Sequence, residues 1–203
     1  TVAMAFSITE EAVEDNLYDK ISSRYTRALA RSMAHTKQVK AAGVLNNAFD
    51  TTVVGGDGKA LCVTDHPLTN GGTLDNVAAA DLNETSLEDA LINIAGFTDE
   101  RGLIIALRGM KLIIPRQLQF VAERLMASNL RSGSADNDVN AVKSTGMLPG
   151  GYVINDFLTD TDAFFIKTDA PNGLKHFERM SLTTAMDPDF ETGNMRYKAR
   201  ERY

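Results

Sequence analysis

Cys62 and His66 stand four positions apart, a spacing at which a thiolate and an imidazole can share a metal ion. No second pair of ligands accompanies them. Asp136, Asp138 and Asn140 begin like a calcium loop, but Ala141 holds the sixth position and Met147 the twelfth. Asp187, Asp189 and Glu191 fail in the same way, with Pro188 inside and Gly193 one place late. Gly55-Gly56-Asp57-Gly58-Lys59 hints at a phosphate loop. Val53 stands where its first glycine belongs, and Ala60 replaces the hydroxyl that would hold magnesium. His35 sits in a helical pattern and His176 in a strand pattern, and both read as structural. No nucleophile elbow occurs, and nothing assembles a nucleophile, a base and an orienting acid. No catalytic residue, metal or cofactor is expected.

One constellation is left. From Asn194 to Tyr203 the chain alternates cleanly: Arg196, Lys198, Arg200 and Arg202 point one way, and Met195, Tyr197 and Ala199 the other. Four cations on one strand face repel one another unless carboxylates or phosphates face them. Three uses fit this row: a solvated edge strand protected by charge, an intersubunit salt-bridge surface, or contact with enclosed DNA. No aromatic residue on that face offers a base a stacking platform.

The elements that position these residues begin with a helical pattern from Ile8 to Ala42, free of glycine and proline. Ser7 and Glu10 form a capping-box pattern at its start, and Gly43 is the first stop signal. About 35 residues at 1.5 Å each make a rod of roughly 50 Å. A compact chain of 203 residues is about 40–45 Å across, so an elongated building block is expected. Val13, Leu17, Ile21, Tyr25, Leu29 and Met33 recur every fourth residue, a line that winds around the helix as it would across a sheet. Acidic residues come first along it and basic ones follow, complementing the helix dipole.

Glycine turns at 55–58 and 70–72 flank a short strand at Lys59–Val63. Thr85 and Glu88 predict a second capped helix through Phe97. Lys111–Ile114 reads as a buried strand, with Pro115 opening a helix that turns Leu118, Val121, Leu125 and Met126 inward. Arg131–Asn140 reads as an exposed loop. Tyr152–Ile154, Ala163–Ile166 and Leu174–Met180 read as strands, the first two joined across Asp160-Thr161-Asp162.

Composition narrows the class. The net charge of −6 argues against general nucleic-acid binding. No apolar run is long enough to cross a bilayer, and no signal-peptide pattern appears. The lone Cys62 cannot make an intrachain disulfide, which points to a reducing cytoplasm. Thr1 stands where an initiator methionine would, so an upstream segment is expected.

Asp57-Gly58-Lys59-Ala60-Leu61 with Thr64-Asp65-His66-Pro67-Leu68, after a long helix, resembles the major head subunit of Mu-like tailed phages. So do Lys111-Leu112-Ile113-Ile114-Pro115-Arg116-Gln117-Leu118, the run Tyr152 to Asp160 followed by Ala163-Phe164-Phe165, and the closing Asn194 to Tyr203. The order of these pieces covers nearly the whole chain.

The resemblance implies an α+β protein of the Hong Kong 97-type capsid fold: a long spine helix, a peripheral β-sheet domain and an α/β axial domain. Residues 1–85 and 185–203 would form the peripheral domain and 86–184 the axial one. The family's N-terminal arm and extended loop precede the spine helix, so this chain begins too late to contain them. Any crosslinking that uses an extended-loop lysine therefore does not carry over. The implied function is a structural one, a major capsid subunit forming hexamers and pentamers of itself in an icosahedral head around DNA. That head would be assembled in the bacterial cytoplasm with scaffold, portal and decoration proteins. The alternative is an encapsulin-type shell around a protein cargo.

Overall fold

Val2, Met4, Phe6 and Ile8 alternate with Ala3, Ala5 and Ser7, a period of two that makes a strand, not a helix lead-in. The computed structural model describes residues 1–15, 18–131, 138–171 and 173–203, with backbone alone at 18–20. In it β1 spans Val2–Ile8, followed by α1 (Glu10–Glu14) and α2 (Tyr18–Asn46). Then come β2 (His66–Pro67), β3 (Thr73–Leu74), α3 (Glu84–Ala95), β4 (Gly109–Ile114), α4 (Gln119–Ala127) and α5 (Ala141–Thr145). The chain closes with β5 (Tyr152–Ile154), β6 (Phe165–Thr168), β7 (Met180–Pro188) and β8 (Met195–Arg202).

These elements gather into two compact units. The first holds Thr1–Lys40 and Asn172–Tyr203, the second Ala41–Pro171. In the first, β8 is the centre of a three-stranded antiparallel sheet of order β1-β8-β7. Leu29 and Met33 of α2 bury against Ala199, with Val2 and Phe6 packed beside them. Phe6 stacks on its register partner Tyr197 at 4.9 Å and meets Tyr25 of α2 at 5.6 Å. The winding stripe is therefore only partly used: Leu29 and Met33 are buried, Ile21 is half-buried, and Val13 and Tyr25 remain exposed.

Two helix expectations need correction. Ser7 is a strand residue opposite Arg196, and the first helix starts at Glu10 with Thr9 as its cap, its hydroxyl accepting from the Ala12 N–H. That helix ends at Glu14, so the helical region is not one element from Ile8. α2 runs unbroken through Ser22-Ser23 and past Gly43 to Asn46, 29 residues and about 43 Å long. A helix interior tolerates one glycine at a cost of roughly 0.5–1 kcal/mol, too little to stop an otherwise favourable run.

In the second unit, β4 is the central strand of a sheet of order β5-β4-β6, parallel to β5 and antiparallel to β6. The strands 152–154 and 165–168 thus flank β4 and do not pair with each other. Leu87 and Leu91 of α3, Leu112 and Ile114 of β4, Ala122 and Leu125 of α4, Val142 and Leu148 form one buried cluster with Leu82. Pro115, buried, precedes a 3-10 turn at Arg116–Leu118 that leads into α4. The cap of α3 is Asn83, paired reciprocally with Ser86, and not Thr85 with Glu88.

Lys59–Val63 forms turns instead of a strand, and 174–179 is not a strand either; the extended element begins at Met180. Of the 131–140 loop, residues 132–137 lie outside the described residues. Its base is closed by Arg131 N–H to the Asp138 carbonyl (2.9 Å), and its last residue contradicts an exposed assignment. Asn140 is buried, donating to the carbonyls of Leu125 (2.7 Å) and Ser128 (3.1 Å) while capping α5 at the Lys143 N–H. A short amide side chain there satisfies carbonyls at the end of α4 and starts the next helix.

Candidate assembly surface

Because β8 is central, its cationic face has neighbours on both sides, and they are small. Ala3, Ala5 and Ser7 of β1 stand opposite Arg200, Lys198 and Arg196. Thr183, Ala185 and Asp187 of β7 stand opposite the same three residues. The assignment of this strand as a protected edge is therefore set aside. Small flanks leave the long cationic side chains standing above an open floor, and Arg196, Lys198 and Arg200 are all exposed.

Successive cations on one face are about 6.7 Å apart along the strand. Each adjacent pair repels by roughly 0.6 kcal/mol in a water-like dielectric. The row is not uniform. Arg196 is neutralised within the chain, its Nη2 lying 2.5 Å from Asp189 Oδ2, which also accepts from the Thr192 hydroxyl at 2.7 Å. Among the described residues Lys198 and Arg200 have no carboxylate partner. Arg202, half-buried, ends the strand opposite Met180, where a register shift interrupts the β7 ladder.

The other face carries Met195, Tyr197 and Ala199 against β1 and α2, as the alternation predicts, but Glu201 follows them. Its carboxylate is buried, with one oxygen unpartnered among the described residues. Beyond it, desolvation pushes the Tyr203 hydroxyl above its ordinary value; the nearby Glu201 carboxylate adds to the rise and Lys37 opposes it. Lys37 lies over the Tyr203 ring at 5.5 Å and pairs with Glu178 at 3.5 Å.

The residues weighed for metal chemistry are engaged otherwise. His66 Nδ1 lies 2.6 Å from Asp57 Oδ2, and that hydrogen bond, with one from the Lys59 N–H, holds the Asp57 carboxyl below its usual range. Lys59 pairs with Asp65 at 2.5 Å. Burial pushes the Cys62 thiol up, which leaves it less nucleophilic. The Asp57–Lys59 and Asp65–His66 stretches are thus joined across the turns by one ion pair and one hydrogen bond, a closure that spacing alone did not reveal. Asp136 lies outside the described residues. Asp189 organises the β7–β8 turn, accepting from Gly193 N–H and donating its own N–H to Asn194 O, each at 2.9 Å. His35 is exposed on α2, and exposed His176 sits 5.3 Å from the Tyr203 ring.

A family model described as phage capsid protein matches residues 1–203. The chain belongs to the phage capsid protein family. No curated protein and no solved structure matches it. As a phage capsid protein it is a structural component of the virion shell, and its mixed α+β fold is consistent with that family. Among the described residues no helix is long and apolar enough to cross a membrane.

For a capsid protein, the exposed apolar residues acquire meaning beside the cations. Phe120 and Ile104 in the second unit, and Phe177 and Phe190 in the first, are each at least 70% exposed. Sequence reasoning missed the last two: Phe177 was assigned to a strand, and Phe190 was passed over within the Asp187–Gly193 stretch. The available signal was an aromatic side chain set directly between ionisable neighbours, His176 and Glu178 for Phe177 and Asp189 and Glu191 for Phe190.

Proposed function

We propose that this chain is the major capsid subunit of a tailed double-stranded DNA phage, of the Mu-like type and with a Hong Kong 97-type fold. In this reading it associates with itself into hexamers and pentamers that close an icosahedral head. The observation that carries the reading is the family match over the whole chain. The long α2 packed on the sheet of the first unit supports it as the spine of a peripheral domain, and the β5-β4-β6 unit with its helices supports an axial domain. Under the proposal residues 1–85 and 185–203 serve the peripheral role and 86–184 the axial one.

The cationic face of β8 is the proposed intersubunit surface. Carboxylates of a neighbouring copy are its nearest partners, because the chain is acidic overall. A single exposed pair contributes only about 0–1 kcal/mol, but shell symmetry repeats it many times. Arg196, already held by Asp189, contributes less than Lys198 and Arg200. Scaffold, portal and decoration proteins are the further proposed partners, and assembly takes place in the bacterial cytoplasm.

Electron microscopy of the full-length gene product, expressed with and without its neighbouring phage genes, tests the reading. Closed shells that fill with DNA when the packaging genes are present are the expected result. Shells enclosing a dedicated protein cargo would indicate an encapsulin-type compartment, and a chain that stays monomeric in both conditions would overturn the proposal.

A further inference from the structure

The sheet of the first unit carries opposite chemistry at its two ends. At one end the β7–β8 turn holds Phe190 wholly in solvent (101% exposed) between Asp189 and Glu191. This tip is fixed in place. Asp189 is bound by Thr192 and Arg196, and Asn194 Oδ1 accepts from the Glu10 N–H at 3.3 Å. Gly193 packs so closely on the Glu10 carboxylate, at φ +69°, that a Cβ there would collide with it. The result is a rigid knob with one aromatic ring and flanking carboxylates.

At the other end the strands open on a half-open hollow of about 490 Å³ lined by Thr1, Phe177, Glu178, Arg179, Arg202 and Tyr203. Arg179 donates its N–H to the Arg202 carbonyl at 2.9 Å, so both guanidinium groups spring from one level of the ladder. Neither has a carboxylate partner among the described residues, whereas Glu178 is taken by Lys37. Phe177 is 74% exposed. The exposed Phe177 ring and the edge of the half-buried Tyr203 ring, beside two uncommitted arginines, make a receptor for an apolar ring accompanied by negative charge.

We propose that this hollow receives the Phe190 tip of a second copy of the chain. The ring would lie between Phe177 and Tyr203, with Glu191 and Asp187 facing Arg179 and Arg202. Knob and hollow sit at opposite ends of β8, roughly 25 Å apart along eight residues of strand, so a tip cannot reach its own hollow. The contact is therefore between copies and heterologous. Such contacts propagate head to tail and close into a ring when the rotation allows, the symmetry a capsomer needs. The inference rests on the assembly reading above and assigns Arg202 to the hollow, apart from Lys198 and Arg200 on the sheet face.

The test uses the full chain with the photoreactive aromatic p-benzoylphenylalanine in place of Phe190, in a mixture of isotope-labelled and unlabelled copies. Sedimentation of the same sample reports assembly. The expected result is an intermolecular adduct on the 177–179 or 202–203 peptide. Its yield should fall about tenfold in Glu191→Arg or in Arg179→Glu and recover when the two are combined. Circular dichroism verifies that these exposed-site variants fold. If the chain assembles but adducts are absent, map elsewhere, or do not respond to the charge swap, the tip contact is wrong and the assembly reading stands. Adducts in the hollow without any species larger than a dimer keep the contact and remove the capsid reading. Neither adduct nor assembly overturns both.

Discussion

The two units bury their apolar residues very differently. In the second, β4 is flanked by β5 and β6, and residues from Leu82 to Leu148, including those of α3 and α4, pack into one buried cluster. In the first, Leu29, Met33 and Ala199 are the buried centre, and β7 is exposed along nearly its whole length. A strand exposed on both faces, with one edge open, is unusual in a protein that works alone. It is ordinary in a subunit whose neighbours supply the missing cover. Under the proposed assembly, the contrast separates a part that holds its own shape from a part that other copies complete.

The largest expected effect tests that contrast directly. Leu112→Ala, in the enclosed core, should destabilise the chain by roughly 3–5 kcal/mol, and Met33→Ala by roughly 2–3, because a thin layer collapses more readily around a lost side chain. Urea unfolding followed by circular dichroism measures both. Equal losses, or a larger one at Met33, would break the comparison.

Two glycines, both in the second unit, separate its enclosed core from its open helix end. A Cβ at Gly109 would meet Leu91 at 2.6 Å and Leu148 at 3.0 Å, so Gly109→Ala should cost about 1–3 kcal/mol through overpacking. At Gly43, inside α2, nothing lies within 4 Å of that position. Gly43→Ala should therefore stabilise the unassembled chain by about 0.5–1 kcal/mol, read as a higher unfolding midpoint.

The smallest effect concerns the turns between α2 and α3. The Asp57 carboxyl is held below its ordinary value of 3.8, chiefly by the hydrogen bond to His66. A depressed carboxylate stabilises the folded form above its unfolded pKa, and that contribution disappears as pH falls through the folded value. Amide exchange at residues 57–66 should thus become less protected below about pH 4 relative to the rest of the second unit, and Asp57→Asn should abolish the difference. Protection that is unchanged by acid or by the substitution would separate this hydrogen bond from the closure of the turns.

Much of the enclosed unit was legible in the residues. Leu112–Ile114 is an unbroken apolar run, and Leu87, Leu91 and Ile94 keep helical spacing, because burial selects apolar residues on the buried faces. The alternation of Met195 to Ala199 was readable for the same reason. β7 was not: Met180, Leu182 and Met186 alternate with Ser181, Thr183 and Asp187, but Thr184 and Ala185 interrupt the pattern, and residues exposed on both faces carry little such constraint. The helix start was misplaced because Ser7-x-x-Glu10 fits a capping box, while Thr9 caps equally well and Val2–Ile8 is claimed by pairing with β8. That pairing spans almost the entire chain, and no local pattern announces it. The cationic row was visible; its central place in the sheet, and the private use of Arg196 by Asp189, were not.

The central claim, that the exposed sheet of the first unit exists to meet other copies, is tested most directly by reversing Lys198 and Arg200 together to Glu. Sedimentation and electron microscopy of the full-length protein at low and high salt provide the measurement. The account predicts a chain that unfolds at the same urea concentration as the unaltered protein yet yields far fewer shells, with the deficit greatest at low salt, where unscreened like charges repel most strongly. Shells formed in normal number, with only DNA retention lost, would contradict it and hand this face to the genome instead.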